Sequence, residues 1–325
     1  MTVMAATSVP AAAAQDRRPS ISIVVPVYNS SLTIPELVAR LESVLARTAS
    51  TFEVILVNDG STDGSMAVIE RLAREHPDVR GIDLMRNYGQ HNALLCGIRT
   101  ARHELIVTID DDLQNPPEEI PRLVEKLAEG YDVVYGTPSA QQHGLWRVVA
   151  SQITRLALQE VLGADTARHV SAFRVFRTAI RDSFERYRGS FVSIDPLLTW
   201  GSSRFAAIPV AHEPRKAGVS HYTLKKLLLH SLNLATGFTT VPLQAASLLG
   251  FAATVFGFGV LCYVIGRYLI QGSSVPGFPF LASIIAILSG TQLFAIGIIG
   301  EYLARMHFRL MGRPSYAIRS EIGSR

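Results

Sequence analysis

Three consecutive aspartates stand in the stretch VTIDDDLQNPP, residues 107–117, directly after an apolar run. Adjacent carboxylates repel one another, so this arrangement calls for a compensating positive charge. If Asp110 and Asp112 continue the geometry of a strand, their side chains point to one side and Asp111 points to the other. Two carboxylates on one side form a hard oxygen site that suits Mg²⁺ or Mn²⁺ together with a substrate diphosphate. The alternative is that some of these acids cap the turn before Pro116.

The elements that would position the aspartates alternate along the chain. Candidate strands are ISIVVPV (21–27), FEVILVN (52–58), RGIDLM (80–85), ELIVTI (104–109) and YDVVYG (131–136). Helical patterns lie near 33–48, 64–75, 90–102 and 117–129. Apolar strands separated by helices predict an α/β fold, with a mostly parallel sheet that is covered on both faces.

A polar cluster follows each of the first four predicted strands. In chain order the clusters are PVYNSS, NDGSTDGS, RNYGQH and DDDLQ. In open α/β sheets ligands bind outside the carboxyl ends of the strands, so we expect the clusters to converge on one edge of the sheet. The first cluster has no glycine, which argues against a Rossmann dinucleotide site, and the sequence contains no Walker A motif.

Two apolar stretches near the C-terminus, about 240–270 and 279–303, each exceed the roughly 20 residues that cross a membrane. We predict a transmembrane hairpin; the alternative is two buried core helices of a soluble domain. Lys225 and Lys226 precede the first stretch and several arginines follow the second, whereas the linker QGSSVPGF has no Lys or Arg. The positive-inside rule therefore places both termini in the cytoplasm. The net charge of +4 suits an anionic membrane surface better than nucleic acid.

The remaining boundaries follow from composition. We predict a disordered leader (1–19), a catalytic domain (20–215), a juxtamembrane amphipathic helix (216–238), the hairpin (239–304) and a cytoplasmic tail (305–325). The leader is Ala-rich but has no positive segment ahead of that run, so it does not match a signal peptide. Helical patterns near 145–162 and 222–238 suit either the membrane surface or an ordinary core.

At this point the motifs carry a family resemblance. The segments VVPVYN, VNDGSTDGS, LMRNYGQHNALLCGI and TIDDDLQNPPEEIPRL, in this order, resemble the GT-A glycosyltransferases of family 2. The later EPRKAGVSHYTLKKLL and a hairpin ending in GIIGEYLARM are similar to the polyprenyl-phosphate branch, which includes dolichol-phosphate mannose synthase and undecaprenyl-phosphate 4-deoxy-4-formamido-L-arabinose transferases. The resemblance covers about residues 20–316. Its motifs are specific for the class and only weakly specific for the sugar.

The resemblance implies roles for individual residues. Pro26, Tyr28 and Asp59 would hold the base and ribose of a nucleotide-sugar. Asp110, Asp112 and Gln114 would bind the metal, and the two aspartates with Arg215 would be catalytic. The further implied substrate contacts are Asn29, Gly60, Ser61, Arg86, Asn87, Gln90, His91, Asp111, Ser220 and Tyr222. Contact with a lipid headgroup is the alternative for Arg215, and a surface or helix-capping position is the alternative for His91.

Three positions depart from the family pattern. Ser30 stands where many members have Glu, and His221 stands where many have Lys. No acid closely precedes the pair Phe173 and Arg174, so the resemblance supplies no catalytic base.

We therefore expect a metal-dependent, inverting glycosyltransferase at the cytoplasmic face of a bacterial inner membrane. It would move one sugar from a nucleotide-sugar, with a UDP-linked donor favoured, to undecaprenyl or another polyprenyl phosphate. The resemblance also implies Mg²⁺ or Mn²⁺ and a homo-oligomer. One alternative is a membrane-anchored sensor or scaffold that binds nucleotide-sugar without turnover. Another is a processive polysaccharide synthase, although QQHGLWR at 141–147 does not match the QxxRW signature of that class.

Overall fold

The computed structural model describes residues 18–138, 170–189, 191–213, 240–271 and 277–323. Within these ranges, eight strands form one mixed sheet in the order β7-β5-β6-β4-β1-β2-β3-β8. The strands are β1 (Ile21–Val27), β2 (Phe52–Asn58), β3 (Val79–Leu84), β4 (Leu105–Thr108), β5 (Val133–Pro138), β6 (Arg174–Arg177), β7 (Phe205–Val210) and β8 (Ile318–Ile322). The bounds predicted for β1 and β2 are confirmed, and those of β3, β4 and β5 differ by one or two residues.

Helices connect the strands much as the apolar spacing predicts. They are α1 (Ile34–Thr48), α2 (Ser65–Glu75), α3 (Gln90–Thr100), α4 (Ile120–Ala128), α5 (Ile194–Leu198), α6 (Val241–Gln271) and α7 (Phe278–Leu310), with 3₁₀ segments at Pro117–Glu119 and Thr178–Phe184. Pro35 lies in the first turn of α1, where its missing N–H costs no hydrogen bond.

The central strands β4, β1, β2 and β3 are parallel neighbours. Every residue of β1 is buried, because helices cover both faces of the sheet. One apolar core lies between the sheet and α1, α2 and α4, and a second lies between the sheet and α3 and α5. The predicted mostly parallel sheet with two covered faces is confirmed.

The two ends of the chain depart from the predicted boundaries. The predicted tail continues α7 as far as Leu310 and then forms β8, which pairs antiparallel with β3. This pairing satisfies the open hydrogen-bonding groups at the edge of β3. At the other end, Arg18 donates to the carbonyl of Ala46 at 3.2 Å, and Pro19 accepts from the N–H of Ser50 at 3.0 Å. These two residues therefore belong to the folded domain and not to the leader.

The helices α6 and α7 carry the candidate membrane spans. Val241–Ile270 and Ile287–Phe308 have mean hydropathies of 2.2 and 1.4, and none of either window is buried inside the protein. They are long and apolar enough to cross a membrane. The exposure of these side chains argues against the alternative of buried core helices.

Candidate active site

Four loops meet where β4, β1, β2 and β3 end, which we name the carboxyl edge of the sheet. Several hydrogen bonds join the β1 loop to its neighbours. Among them, the Tyr28 N–H donates to Oδ2 of Asp111 at 3.2 Å, and the Asn29 N–H donates to Oγ of Ser61 at 3.0 Å. The loops after β1, β2 and β4 therefore form one connected surface. Its polar groups lie where an open α/β sheet presents its ligand site.

The β1 loop leaves an aromatic ring at this edge. Pro26 is buried in β1, whereas Tyr28 is 48% exposed. Asn29 adopts a φ of 55°, a left-handed conformation that Asn tolerates better than most residues. Its Oδ1 accepts the N–H of Thr62 at 2.8 Å. The half-exposed Tyr28 ring thus belongs to a loop that hydrogen bonds from the loop after β2 hold in place.

Asp59 holds the loop that follows β3. The residue is 3% exposed, and its carboxylate accepts the N–H groups of Tyr88 at 2.7 Å and Gly89 at 2.8 Å. Burial raises the pKa of Asp59 above its ordinary value, and the two N–H donors only partly oppose that effect. The side chain therefore organises the protein backbone at this edge. Direct contact between Asp59 and a nucleotide stays a prediction.

Gly60 allows the loops after β2 and β3 to touch. Its φ is 67°, and a Cβ atom added to it would lie 2.5 Å from the backbone nitrogen of Asn87 and 2.6 Å from the carbonyl carbon of Arg86. No side chain fits that space without moving the backbone. Arg86 and Asn87 are exposed, and the Arg86 guanidinium lies 4.5 Å from the centre of the Tyr88 ring.

The premise that the three aspartates continue β4 is wrong. The strand ends at Thr108, and Asp111 and Asp112 lie in a turn. Leu113 continues this turn at a φ of 60°, and its side chain is completely buried. Burial raises the pKa of Asp111, whose carboxylate accepts the Tyr28 N–H. Asp111 thus joins two loops, and does not point away from the edge as strand alternation would require.

The other two aspartates are oriented by separate donors. Gln90 donates its side-chain amide to Oδ1 of Asp110 at 2.7 Å. The N–H of Gln114 donates to Oδ1 of Asp112 at 3.1 Å, so Asp112 does cap the turn, as the alternative explanation held. A carboxylate has about four acceptor sites on its two oxygens, so these hydrogen bonds are compatible with metal binding.

His91 contacts another helix. Its Nδ1 lies 3.4 Å from the backbone nitrogen of Ile194, the first residue of α5. The ring therefore ties the start of α3 to the start of α5. A substrate contact by His91 stays a prediction.

Comparison with known proteins identifies the family. The profile of glycosyl transferase family 2 matches residues 22–188. The undecaprenyl-phosphate 4-deoxy-4-formamido-L-arabinose transferase of Pseudomonas aeruginosa (strain LESB58) is 38% identical over 304 residues, which cover 92% of this chain and 89% of the relative. A protein of the same name from Aeromonas hydrophila subsp. hydrophila is 36% identical over 309 residues, which cover 94% of each chain. The chain belongs to glycosyl transferase family 2.

One solved structure similar to this family 2 glycosyltransferase is mannosyl-3-phosphoglycerate synthase from Rubrobacter xylanophilus. It is 17% identical with a TM-score of 0.47, and the match covers 80% of this chain and 79% of that one. The family, the mixed sheet and the two apolar helices confirm the predicted fold class, a GT-A domain followed by a helical hairpin. They also confirm that the protein is an enzyme of the glycosyltransferase class.

The family 2 site includes two contacts that the motifs did not predict. His212 follows β7, and its Nε2 lies 3.4 Å from Nε2 of Gln114. The next residue, Glu213, donates its N–H to the carbonyl of Gln114 at 2.8 Å. The signal in the sequence is a polar cluster, HEPR, after the apolar run FAAIPV, the same pattern that marks the other loops. These two contacts bring the end of β7 beside the aspartate turn.

A buried ion pair lies behind the aspartate turn of this glycosyltransferase. Arg174 on β6 pairs with Asp195 on α5, and Nε of Arg174 donates to Oγ1 of Thr108 at 3.1 Å. The Tyr135 hydroxyl donates to Asp195 at 3.0 Å, and burial raises the pKa of that phenol well above its ordinary value. Asp195 is therefore buried and held by neighbouring side chains next to the end of β4.

The carboxylate oxygens of the aspartate turn fit a divalent cation that binds together with the substrate. No group of three or more His, Cys, Asp or Glu side chains in the described part of the chain is arranged to hold a metal ion by itself. Asp110 and Asp112 nevertheless offer hard carboxylate oxygens on one turn. Mg²⁺ typically takes one or two carboxylates and completes its shell with waters and substrate phosphates.

Several predicted features lie outside the described residues. They are Arg215, Ser220 and Tyr222, the juxtamembrane helix at 216–238, and the helical patterns near 145–162 and 222–238. Their roles in this glycosyltransferase stay predictions.

Proposed function

We propose that this enzyme transfers one sugar, with inversion, from a nucleotide-sugar to the phosphate of undecaprenyl or another polyprenyl lipid at the cytoplasmic membrane face. The observation that carries the proposal is the extent of the likeness to the Pseudomonas aeruginosa relative: 38% identity runs over 92% of this chain, so it spans the catalytic sheet and the two apolar helices. The name of that relative specifies an undecaprenyl-phosphate acceptor. A UDP-linked donor is favoured.

The chemistry needs little from the protein beyond alignment. An oxygen of the acceptor phosphate attacks the anomeric carbon, the bond from that carbon to the donor diphosphate breaks, and the nucleoside diphosphate leaves. Attack from the face opposite the leaving group inverts the configuration. A phosphate monoester has a second pKa near 6 and is already largely dianionic at pH 7. The acceptor therefore attacks without a protein base to remove a proton.

The aspartate turn would hold Mg²⁺ or Mn²⁺, which stabilises negative charge on the leaving diphosphate. Asp110 and Asp112 supply the carboxylates. Gln90 orients the first through its amide, and the Gln114 N–H orients the second. Because these donors fix the carboxylates before substrate arrives, less ordering remains when the diphosphate binds.

The neighbouring loops would hold the nucleotide. Tyr28 offers a half-exposed ring, and Asp59 fixes the backbone of the loop after β3. The exposed Arg86 on that loop adds positive charge near the edge. Arg215, from the segment after β7, would help to bring the two anionic substrates together.

The two apolar helices would hold the enzyme at a lipid surface. α6 and α7 would form the hairpin, with both termini in the cytoplasm of a bacterial cell as the Lys and Arg flanks predict. Association of several copies is part of the proposal, on the strength of the family resemblance.

The test uses the purified full-length enzyme in detergent with undecaprenyl phosphate, Mg²⁺ or Mn²⁺, and a panel of UDP- and GDP-sugars. We expect one donor to give a lipid that carries a single sugar, with an equal amount of nucleoside diphosphate. Binding of a nucleotide-sugar without any product would favour the sensor alternative. A product that lengthens with added donor would favour a processive synthase, and either result would overturn the proposal.

A further inference from the structure

The strand β8 follows the second apolar helix, and it pairs with β3 beside the proposed donor site. In this antiparallel pair Asp83 lies opposite Ser320, and Leu84 lies opposite Ile318. Arg319 is therefore the extra residue of a β-bulge. Bulges of this kind redirect a side chain out of the regular alternation of a strand. Here the bulge places the Arg319 side chain against the end of β3.

Arg319 contacts that strand end at two points. Its Nη2 donates to the carbonyl oxygen of Met85 at 2.8 Å, and its Nη1 lies 3.4 Å from Oδ2 of Asp83. Met85 is also held from the other side, because its N–H donates to the carbonyl of Ala317 at 2.9 Å. The chain that follows the second membrane helix thus fixes the first residue of the β3 loop.

The contact continues across the carboxyl edge through buried groups. Oδ1 of Asp83 accepts from the side-chain amide of Asn58 at 2.7 Å, and both residues are almost fully buried. Oδ1 of Asn58 accepts the N–H of Ser61 at 3.2 Å, and Oγ of Ser61 accepts the N–H of Asn29 at 3.0 Å. A chain of side-chain contacts therefore runs from Arg319 to the loops after β3, β2 and β1.

We propose that Arg319 is a positioning residue for the nucleotide-sugar donor, acting through Asp83 and Met85 on the loops of the carboxyl edge. This inference rests on the proposed function, because those loops are the ones that would hold the donor. Arg319 itself does not need to touch the donor. The side chain of Asp83 is 8% exposed, and its carboxylate is oriented by Asn58 and Arg319, the polar side chains that contact it among the described residues.

Because Arg319 is exposed, its effect on donor binding can be measured separately from any effect on stability. Its side chain is 58% exposed, and exposed ion pairs contribute little to stability because solvent screens them. Removing the guanidinium should leave the fold intact while it loosens Asp83 and the first residue of the β3 loop. Binding of the donor should weaken, whereas binding of the lipid acceptor should not.

The test compares Arg319→Gln and Arg319→Lys with wild type in the full-length enzyme. Arg313→Gln is the matched control, because Arg313 is an exposed arginine of the same C-terminal segment that follows α7. The measurements are the Kd for UDP and GDP without acceptor, the KM values for donor and acceptor, and the melting temperature. For Arg319→Gln we expect the nucleotide Kd and the donor KM to rise by about 3- to 10-fold, with the acceptor KM and the melting temperature unchanged. The ammonium of Arg319→Lys can keep the ion pair with Asp83, so this variant should recover part of the loss.

A double-mutant comparison with Asp83→Asn tests whether Arg319 acts on the donor site through Asp83. If Arg319 acts through Asp83, the second substitution should weaken nucleotide binding less in Arg319→Gln than in wild type. An unchanged nucleotide Kd, equal losses for donor and acceptor, or the same loss in Arg313→Gln would overturn the positioning role. A wild type that binds UDP or GDP but transfers no sugar would overturn the proposed function alone. A wild type that binds neither nucleotide would overturn both proposals.

Discussion

The guanidinium of Arg174 and the carboxylate of Asp195 form an ion pair that is almost completely removed from solvent, with 1% and 8% of the two side chains exposed. Arg174 also holds Thr108, the last residue of β4, so the pair anchors the strand from which the aspartate turn begins. The cost of desolvating two charges offsets much of their attraction. The pair is therefore better understood as fixing the geometry of β4, β6 and α5 than as a large source of stability.

Breaking this pair on one side should strongly destabilise the protein. Arg174→Met leaves the Asp195 carboxylate buried without its cation, at a cost of about 3–5 kcal/mol of unfolding free energy. The matched control is Arg204→Met, because Arg204 pairs with Asp132 but has 65% of its side chain exposed. That variant should cost far less, because solvent screens an exposed ion pair. Denaturant unfolding of the detergent-solubilised enzyme measures both.

The double variant Arg174→Met with Asp195→Leu leaves no unpaired charge, so it should recover a large part of the stability lost in Arg174→Met. Equal destabilisation by Arg174→Met and Arg204→Met would contradict the structural role of the buried pair.

Loss of one aspartate should remove activity without unfolding the protein. Asp112→Asn keeps the shape of the side chain and removes the charge that would hold the cation, so we expect turnover to fall by at least 100-fold, on the order of 3 kcal/mol in the barrier. EDTA should have the same effect on wild type, and added Mg²⁺ or Mn²⁺ should restore it. The control Asp182→Asn removes a charge from an exposed position on the 3₁₀ segment. Full activity in chelator would exclude the metal site.

A single methyl group should separate the loops that meet at Gly60. In Gly60→Ala the new Cβ would lie 2.5 Å from the backbone nitrogen of Asn87, and the left-handed φ adds roughly 1–2 kcal/mol of strain. The β3 loop must move away, so the donor KM should rise by about 10-fold. Gly64→Ala is the matched control, because the nearest atom to its Cβ would be the Ser31 Cβ at 4.0 Å. Similar kinetics for the two variants would show that the contact at Gly60 is not required.

The pH profile reports whether the protein supplies a base. Turnover should fall below about pH 6, because the acceptor phosphate gains its second proton there. Asp165, His169 and His221 carry carboxylate or imidazole side chains that could in principle act as a general base. Replacing them one at a time should leave the fall in turnover below about pH 6 unchanged. Asp195 is unsuitable for the test because its loss disturbs the buried ion pair. A replacement that abolished turnover, shifted the acidic limb and left both substrates bound would identify a base.

Unfolding should not confound that profile. The pKa of Glu53 lies below its ordinary value of 4.5. Burial by itself would raise this pKa, but hydrogen bonds from Arg80, Ser22 and the Arg102 N–H outweigh that effect. A lowered carboxyl pKa contributes stability that is present above the unfolded value and is lost as the pH falls through the folded value. This contribution is therefore lost only below about pH 4.5, well under the limb expected near pH 6.

Topology can be mapped with single cysteines. In intact spheroplasts a membrane-impermeant maleimide should label Ser273→Cys, whereas Gln15→Cys and Arg325→Cys should react only after lysis, as the distribution of Lys and Arg predicts. Labelling of Arg325→Cys from outside would overturn the hairpin.

The native cysteines permit a simple background for that experiment. Cys96 is fully buried, and burial raises the pKa of its thiol to about 12, so it should stay unlabelled at pH 7 to 8. Only Cys262, on α6, needs replacement.

The sequence predicted those parts of the fold that depend on local apolar pattern. β1 and β2 are continuous apolar runs, and their bounds agree with the structure. β8 was missed because the first four residues of IRSEI are exposed, so the strand has no apolar face to reveal it. It forms because the edge of β3 offers unpaired backbone groups.

In the candidate site, too, the features that depend on local sequence were predicted and those that depend on distant contacts were not. Its location followed from polar clusters after strands, a pattern that is local. The course of the aspartate turn did not follow, since the turn depends on the buried side chain of Leu113 and on the Tyr28 N–H, which lies 83 residues away in sequence from its acceptor Asp111. The ion pair of Arg174 and Asp195 could not be predicted from the sequence either, because it depends on how β6 packs against α5.

The origin of β8 has a consequence for the timing of synthesis. Arg319 and its acceptor Met85 are separated by 234 residues, so at roughly 5–20 residues per second the ribosome needs on the order of 10–50 s between making the two. During that interval both apolar helices emerge while β3 remains an open strand edge. A chain released early, or one whose C-terminus is blocked by a fused reporter, would reach the membrane with its central sheet formed and its donor loop unanchored. The proposed nucleotide site would thus be completed only after both apolar helices have been synthesised.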